Sequence, residues 1–377
     1  MRILVIGGYG TFGKRLVESL VNFYQYEIIV AGRSGEKLAK TKHYFSVSAN
    51  TEIETAQLDV TSDDIKAKLS LIKPNLVINA AGPYQLQKGK CAYGVAKACI
   101  EYGCHYIDLA DDSEFVTQFS EKLNQQARDA GVILVTGTST IPALTDAVIR
   151  HYLTEFKTLQ SVEYGISPGN HTERGKGTVG SILSYTGRPF ETLSEGQWKS
   201  VFGWQDIKRY DFGSPIGKRW MSNCEIPDLK LLPAIYPQVE TVRFQAGLEL
   251  GILHIGLWVL SWLRRINLIK NLSRYAHQLL QMSYWFYRWG SDVGGMYLNL
   301  KGLDKNGKEK AIYWQLVAEK GTGPNVPTIA AELLVEKIQT GQLSAGARPC
   351  INLFSLEEFF QVARRWEIYQ KEVNYES

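Results

Sequence analysis

Residues 2–16 read RILVIGGYGTFGKRL: an apolar run, a glycine cluster and the opening of a helical pattern. Residues 2–6 have the character of a buried strand, and Leu16, Val17 and Leu20 fall on one face of a helix over residues 14–22. Between them Gly8, Gly10 and Gly13 fit G-x-G-x-x-G, with Gly7 ahead of the set. Such glycines permit, in turn, a tight turn, a close approach of backbone to a pyrophosphate, and a helix seated hard on its strand. The helix N-terminus, with Thr11 and Phe12, then faces phosphate charge. A strand before the glycines and a helix after them is the context that separates this pattern from an ordinary glycine turn.

Reading outward, strands are expected at 27–31, 54–60, 75–81, 105–109 and 132–136, and helices at 35–42, 62–72, 88–102 and 113–130. Strands alternating with helices at this pitch imply a parallel sheet. The second strand ends in Ala31-Gly32-Arg33-Ser34, with no carboxylate to hold ribose hydroxyls. A guanidinium and a hydroxyl are available to a 2′-phosphate instead, so NADP is favoured over NAD; a solvated surface cation is the other reading of Arg33. Asp59, after the third strand, either meets the adenine edge or caps the next helix.

With 377 residues the chain exceeds what one hydrophobic core usually serves, so two domains are expected. A net charge of +4 without a polybasic tract argues against nucleic acid as a partner. The five cysteines (Cys91, Cys99, Cys104, Cys224, Cys350) lack zinc or disulfide spacing and read as reduced thiols of a cytoplasmic protein. The six histidines show no ligand spacing, so no metal site is expected. The N-terminus runs straight into strand pattern, without the features of a secretory signal.

Asn79-Ala80-Ala81-Gly82 with Tyr93 and Lys97 imitates the short-chain dehydrogenase signature. In that family the Tyr and Lys lie well beyond the Asn-Ala-Gly turn, whereas here they follow within one helix. They are ordinary helix positions.

The succession GGYGTFG, then AAGPYQLQKGKCAYGVAKACIEYGCHYIDLADDSEFV, then GTSTIPALTDAVI resembles the saccharopine dehydrogenase-like oxidoreductases, in the branch whose members often have no assigned substrate. The later stretches GKGTVGSIL and GPNVPTIAAELLVEKIQTGQLSAGARPCINLFSLEEF also resemble that branch. The resemblance implies a Rossmann doubly wound parallel sheet over residues 1–145 and an inserted α+β domain over 146–325 for substrate or dimerisation. C-terminal helices at 326–377 would return to the first domain. It also implies that Ala80, Ala81, Gly82 and Tyr84 border the nicotinamide, with Tyr84 binding substrate or donating a proton, or else packing as an aromatic.

Asp108, Asp111 and Asp112 stand at and beyond a strand's carboxyl end, where open α/β sheets place ligands. Asp108 and Asp111 are candidate proton-handling groups, while Asp112 or Ser113 is suited to cap the following helix. Thr138 heads the next strand end and is a candidate cofactor contact. Relatives that act on glutamate adducts grip carboxylates with arginines; Arg174 and Arg188 are available here but match no motif.

The second domain is expected to hold antiparallel strands, among them VETVRFQA and a hairpin turning at Asn306-Gly307. Its unusual part is residues 246–290, an apolar and aromatic stretch interleaved with Arg and Lys. Glu249 and His254 argue against a membrane span. An apolar helical hairpin is expected instead, serving a hydrophobic ligand, a membrane surface touched from one side, or a second copy in a homodimer. The sum is an NADP-dependent oxidoreductase acting on a small-molecule, apolar substrate. The alternatives are an amino-acid-adduct dehydrogenase of saccharopine or polyamine-precursor type, and a non-catalytic NADP sensor or membrane-associated scaffold.

Overall fold

The computed structural model describes residues 1–48, 52–62, 64–86 and 92–372. Cys91 and the start of the helix expected at 88 lie outside them. The chain divides into two compact units, Met1–Leu144 with Pro327–Phe354, and Thr145–Val326 with Ser355–Ser377.

The first unit begins β1 (Arg2–Ile6), α1 (Thr11–Phe23), β2 (Glu27–Gly32), α2 (Gly35–Ser48), β3 (Glu54–Gln57) and α3 (Ile65–Ile72). It continues β4 (Leu76–Asn79), α4 (Gly94–Tyr102), β5 (His105–Asp108), α5 (Ser113–Asp129) and β6 (Ile133–Thr136). α1 forms where expected because its apolar periodicity matches the helical repeat: Leu16, Val17 and Leu20 are all buried. α4 starts after Tyr93, whose φ of 62° is left-handed and whose hydroxyl donates to the Phe115 carbonyl at 3.0 Å.

The second unit opens with α6 (Thr145–Leu153), β7 (Phe156–Ser167), α7 (Lys176–Tyr185), β8 (Pro189–Ser194), β9 (Gln197–Phe202), β10 (Lys208–Asp211) and β11 (Lys218–Asn223). Then come α8 (Asp228–Ile235), β12 (Thr241–Leu248), α9 (Gly251–Arg265), α10 (Ala276–Tyr284), β13 (Gly294–Asp304) and β14 (Glu309–Ala318). The chain returns to the first unit for α11 (Val326–Gln339) and β15 (Gly346–Pro349), and closes with α12 (Leu356–Ala363) and β16 (Ile368–Glu372).

The first sheet runs β15-β6-β5-β4-β1-β2-β3, every pairing parallel. All its strands therefore end on one edge, and the order reverses direction between β1 and β4. Such a switch point opens a crevice at the carboxyl ends. β15 extends the sheet beyond the six strands expected from the sequence.

The second sheet has nine strands and is mixed. β12, expected to be antiparallel, pairs antiparallel with β11 but parallel with β7. The β13–β14 hairpin turns as its chemistry demands: Asp304 Oδ1 accepts from the backbone of Asn306 at 2.8 Å and of Lys308 at 2.9 Å, and Gly307 takes φ +80°. Phe212, Ile216, Met221, Tyr297 and Val317 form a core cluster on this sheet.

Two expectations are corrected at the C-terminus. The C-terminal stretch expected as helices ends instead in α12, fixed at its start by a Ser355–Glu358 capping box, followed by β16, which pairs with β14. Both elements fall in the second unit rather than the first. An open strand edge on β14 outweighs the helical period of the last few residues.

The stretch expected as a hairpin over 246–290 comprises several elements. Ala246–Leu248 finish β12; α9 packs on β11 and β12, whereas α10 packs on α7. Among the described residues no helix is long and apolar enough to cross a membrane.

Candidate functional site

The glycine loop leaves no room for side chains. Gly7 takes φ +78°, donates its amide to Ala31 O at 2.7 Å, and would carry any Cβ to within 2.9 Å of the Ala80 carbonyl. Gly10 donates to Gly7 O at 2.8 Å, closing the turn. A Cβ on Gly13 would collide with the Gly7 carbonyl, and one on Gly8 would meet the Val30 side chain at 2.9 Å. α1 begins with Gly10 as an extended N-cap, without a side-chain cap bond or an acidic residue in its first turn. A helix terminus in that state attracts an anion. The cradle fits a dinucleotide pyrophosphate.

At the end of β2 the sequence reading missed Tyr9. Its ring lies across Gly32, where a Cβ would collide with it, and its hydroxyl accepts from the backbone of Arg33 at 3.1 Å and of Ser34 at 3.4 Å. Gln57 donates to the Arg33 carbonyl at 2.8 Å, so the turn is held from two sides while the Arg33 side chain stays exposed. Lys37 brings a second cation, 5.5 Å from the Tyr9 ring centre. The signal available in the sequence was an aromatic inside the glycine motif followed, one strand later, by a glycine just before Arg33. Asp59 does not cap α3, whose N-cap is Asp64; its Oδ1 closes a local turn, accepting from the Thr61 amide at 3.0 Å and hydroxyl at 2.8 Å, bonds that hold its carboxyl below the usual range, with help from Arg33.

The ends of β4, β5 and β6 are tied to one another. Ala80 donates to Ile6 O at 2.8 Å and Ala81 to Asn79 Oδ1 at 3.1 Å, ahead of the cis Gly82–Pro83 bond. Asp108 is fully buried and accepts from Thr136 Oγ1 (2.8 Å), Gly137 N (2.9 Å) and Ala110 N (3.0 Å). Burial pushes its carboxyl up to about 6 despite those donors. Thr138 spends its hydroxyl on the Asp108 carbonyl at 2.5 Å.

These bonds give three of the expected site residues structural partners. Tyr84 is 4% exposed, donates to Asn79 O at 2.5 Å and packs on Phe115, and burial followed by the Asp108 charge raises its phenol well above the ordinary range. A phenol so placed holds the strand end. Asp108 Oδ1 and the Thr138 hydroxyl likewise tie strand ends together, while Asp108 Oδ2 is buried without a hydrogen-bond partner among the described residues. Asp111 differs: it is exposed and accepts from Gln85 at 3.2 Å. Asp112 caps α5 through the Phe115 amide at 2.9 Å.

All of these positions stand on the carboxyl edge of the parallel sheet, with the glycine loop and Ala80–Gly82 flanking the switch point. In the second unit Arg174 is spent on structure. It donates to Asn170 and to the Ser283 carbonyl, at 3.2 Å for the latter, and lies over the Tyr284 ring. Arg188 is exposed. Among the described residues no group of three His, Cys, Asp or Glu side chains is placed to hold a metal.

Comparison with known proteins agrees with the first sheet. Residues 3–135 match the family model described as the saccharopine dehydrogenase NADP binding domain. A lipid droplet localized protein of Caenorhabditis elegans is 33% identical over 150 residues, which cover 37% of this chain and 34% of that protein. The human saccharopine dehydrogenase-like oxidoreductase is 24% identical over 289 residues, 71% of this chain and 56% of its own length. The chain thus matches between about a third and somewhat more than half of the length of these relatives. Apo saccharopine dehydrogenase (L-Glu forming) from Saccharomyces cerevisiae superposes with a TM-score of 0.66 at 14% identity, covering 99% of this chain and 100% of that one. Residues 3–135 therefore resemble the saccharopine dehydrogenase NADP binding domain, within a chain that has the fold of saccharopine dehydrogenase and is similar to the saccharopine dehydrogenase-like oxidoreductases.

Proposed function

We propose that the chain is an NADP-dependent oxidoreductase that transfers hydride to or from an apolar small molecule. The observation that carries this reading is the glycine cradle, in which Gly7, Gly8 and Gly13 have no space for a Cβ, set beside a β2 end bearing Arg33 and Ser34 in place of a carboxylate. NADP, when bound, supplies the hydride chemistry; the protein supplies binding, orientation and charge. Gly10 and the start of α1 hold the pyrophosphate, and Arg33 with Ser34 holds the 2′-phosphate. Ala80, Ala81 and Gly82 bring bare backbone up to the nicotinamide end. Asp111, the exposed carboxylate of the candidate set, is the group left to touch substrate.

The preference for an apolar substrate rests on the exposed apolar side chains of residues 252–289. A dehydrogenase of amino-acid adducts would want free arginines for carboxylates, and Arg174 is engaged with backbone carbonyls. Calorimetric titration with NADPH and NADH tests the cofactor reading, with NADPH expected to bind at least about ten times more tightly. A substrate screen followed by nicotinamide absorbance then tests turnover. Binding without turnover, insensitive to Asp111→Asn, would make the chain a nucleotide sensor.

A further inference from the structure

The segment between β12 and β13 is built inside out. On α9 three polar residues face inward: His254 is 0% exposed and shares a 2.9 Å hydrogen bond with Ser222, Ser261 is 0% exposed, and Arg264 is 7% exposed. The apolar residues face outward at helical spacing, with Ile252 59%, Ile255 38%, Val259 44%, Trp262 40% and Ile266 65% exposed. Leu268, Tyr275, Met282, Tyr284, Trp285, Tyr287 and Trp289 continue the pattern, so among the described residues twelve of the nineteen exposed large hydrophobic side chains fall within this one segment.

Its charge is one-sided as well. From Leu250 to Gly290 there is no Asp or Glu, whereas Arg265, Lys270, Arg274 and Arg288 are exposed. The two ends of the segment are clamped. Glu249, just before it, accepts from Ser291, just after it, at 2.9 Å and 2.8 Å, and is also bound by Asn170 N at 2.6 Å and Arg219 at 3.0 Å. Asn170 further donates to the carbonyls of Phe286 and Trp289 at 2.8 Å and 2.7 Å. An exposed apolar surface usually invites rearrangement; this one is held open by a buried ion pair and five hydrogen bonds.

Apolar faces, Trp and Tyr side chains at their margin and cations without anions are the composition of a surface that lies in a lipid interface. A protein partner would bury the Trp and Tyr rings equally well but gives no reason for excluding every carboxylate over 41 residues. An anionic headgroup layer gives one, because each carboxylate would be repelled and each cation attracted. We propose that residues 252–289 dock this chain on an anionic lipid surface, α9 and the Tyr284–Trp289 turn entering the acyl boundary while Lys270, Arg274 and Arg288 meet headgroups.

The proposal does not involve the NADP site, although it uses the same side chains on which the preference for an apolar substrate rests, and it is tested separately. The full chain is floated with vesicles of phosphatidylcholine alone and of phosphatidylcholine with phosphatidylglycerol, at low and high salt. At least about tenfold stronger partition onto the anionic vesicles, weakened by salt, is expected. The pair Trp285→Ser with Trp289→Ser should lower it at least about tenfold on exposed positions that do not support the fold, and Arg274→Glu with Arg288→Glu should abolish the anionic preference. Circular dichroism and NADPH affinity should not change in either variant. Equal partition onto both vesicle types, partition indifferent to these variants, or light scattering showing a dimer that Trp285→Ser with Trp289→Ser dissociates while no variant changes flotation, would overturn the proposal.

Discussion

α1 and α9 are both amphipathic helices, and they point opposite ways. α1 buries Leu16, Val17 and Leu20 beneath the glycine loop, whereas α9 buries His254, Ser261 and Arg264 and displays Ile252, Ile255, Val259 and Trp262. The inversion is stable because the inward polar groups find partners. His254 meets Ser222 and, at 3.4 Å, the Leu248 amide; Ser261 donates to the Trp258 carbonyl at 2.7 Å; and Arg264 reaches the Leu183 carbonyl at 3.4 Å. Buried polar atoms cost little once hydrogen-bonded, so the packing of a helix is decided by what its inward atoms meet. A helical period therefore shows that a helix has two faces and leaves open which of them is the inside.

The contrast between the two helices is most vulnerable at the loop that α1 carries. Gly13→Val should displace the Gly7 carbonyl and weaken NADPH binding by more than about 100-fold, read by calorimetry, since backbone rather than a flexible side chain is in the way. NADPH affinity close to that of the parent would refute the cradle.

Next in size is the contrast in stability. Leu16→Ala removes a fully buried side chain and should cost about 2–5 kcal/mol in denaturant unfolding. Ile252→Ala, with 59% of its surface already in water, should stay within about 0.5 kcal/mol. Similar costs for the two would mean that α9's outer face is covered in solution.

A pH series probes the inversion itself. Burial holds the His254 imidazole down at about 4 from its ordinary 6.5. In that window the unfolded chain binds the extra proton, so stability is full above about pH 6.5 and is lost as pH falls toward about 4, by at most about 3 kcal/mol. His254→Gln should remove this part of the acid sensitivity, seen as a smaller difference between unfolding midpoints at about pH 7 and about pH 4.5. An unchanged difference would place the imidazole in water. The smallest effect is expected from Arg33→Ala, about tenfold on NADPH and less than about twofold on NADH. Equal losses on both would remove the 2′-phosphate role.

Much of the first unit could be read in advance because its signals are local. Strand, glycine turn and helix follow one another within residues 2–23, and a glycine needed for want of Cβ space is visible as a glycine. The glycine loop, Arg33 and Ala80–Gly82 follow the carboxyl ends of β1, β2 and β4. The reading failed where a side chain's duty depends on distant partners. Tyr84, Asp108 and Thr138 looked like site chemistry alone, yet the Tyr84 hydroxyl closes on Asn79, Asp108 Oδ1 on Gly137 and Ala110, and the Thr138 hydroxyl on Asp108. Tyr9 looked like a spacer, yet its hydroxyl holds the Arg33–Ser34 turn.

Order along the chain is enough to specify the parallel sheet, the glycine cradle, the absence of a carboxylate after β2 and the oddity of residues 246–290, because each of these is set by neighbours a few residues apart. Folding in three dimensions settled the rest: which carboxyl and hydroxyl groups remain exposed, that β12 runs parallel to β7, that residues 368–372 join the β14 edge, and that α9 turns its apolar face outward. Those outcomes depend on hydrogen-bond partners and strand edges supplied from far along the chain, and no local period encodes them.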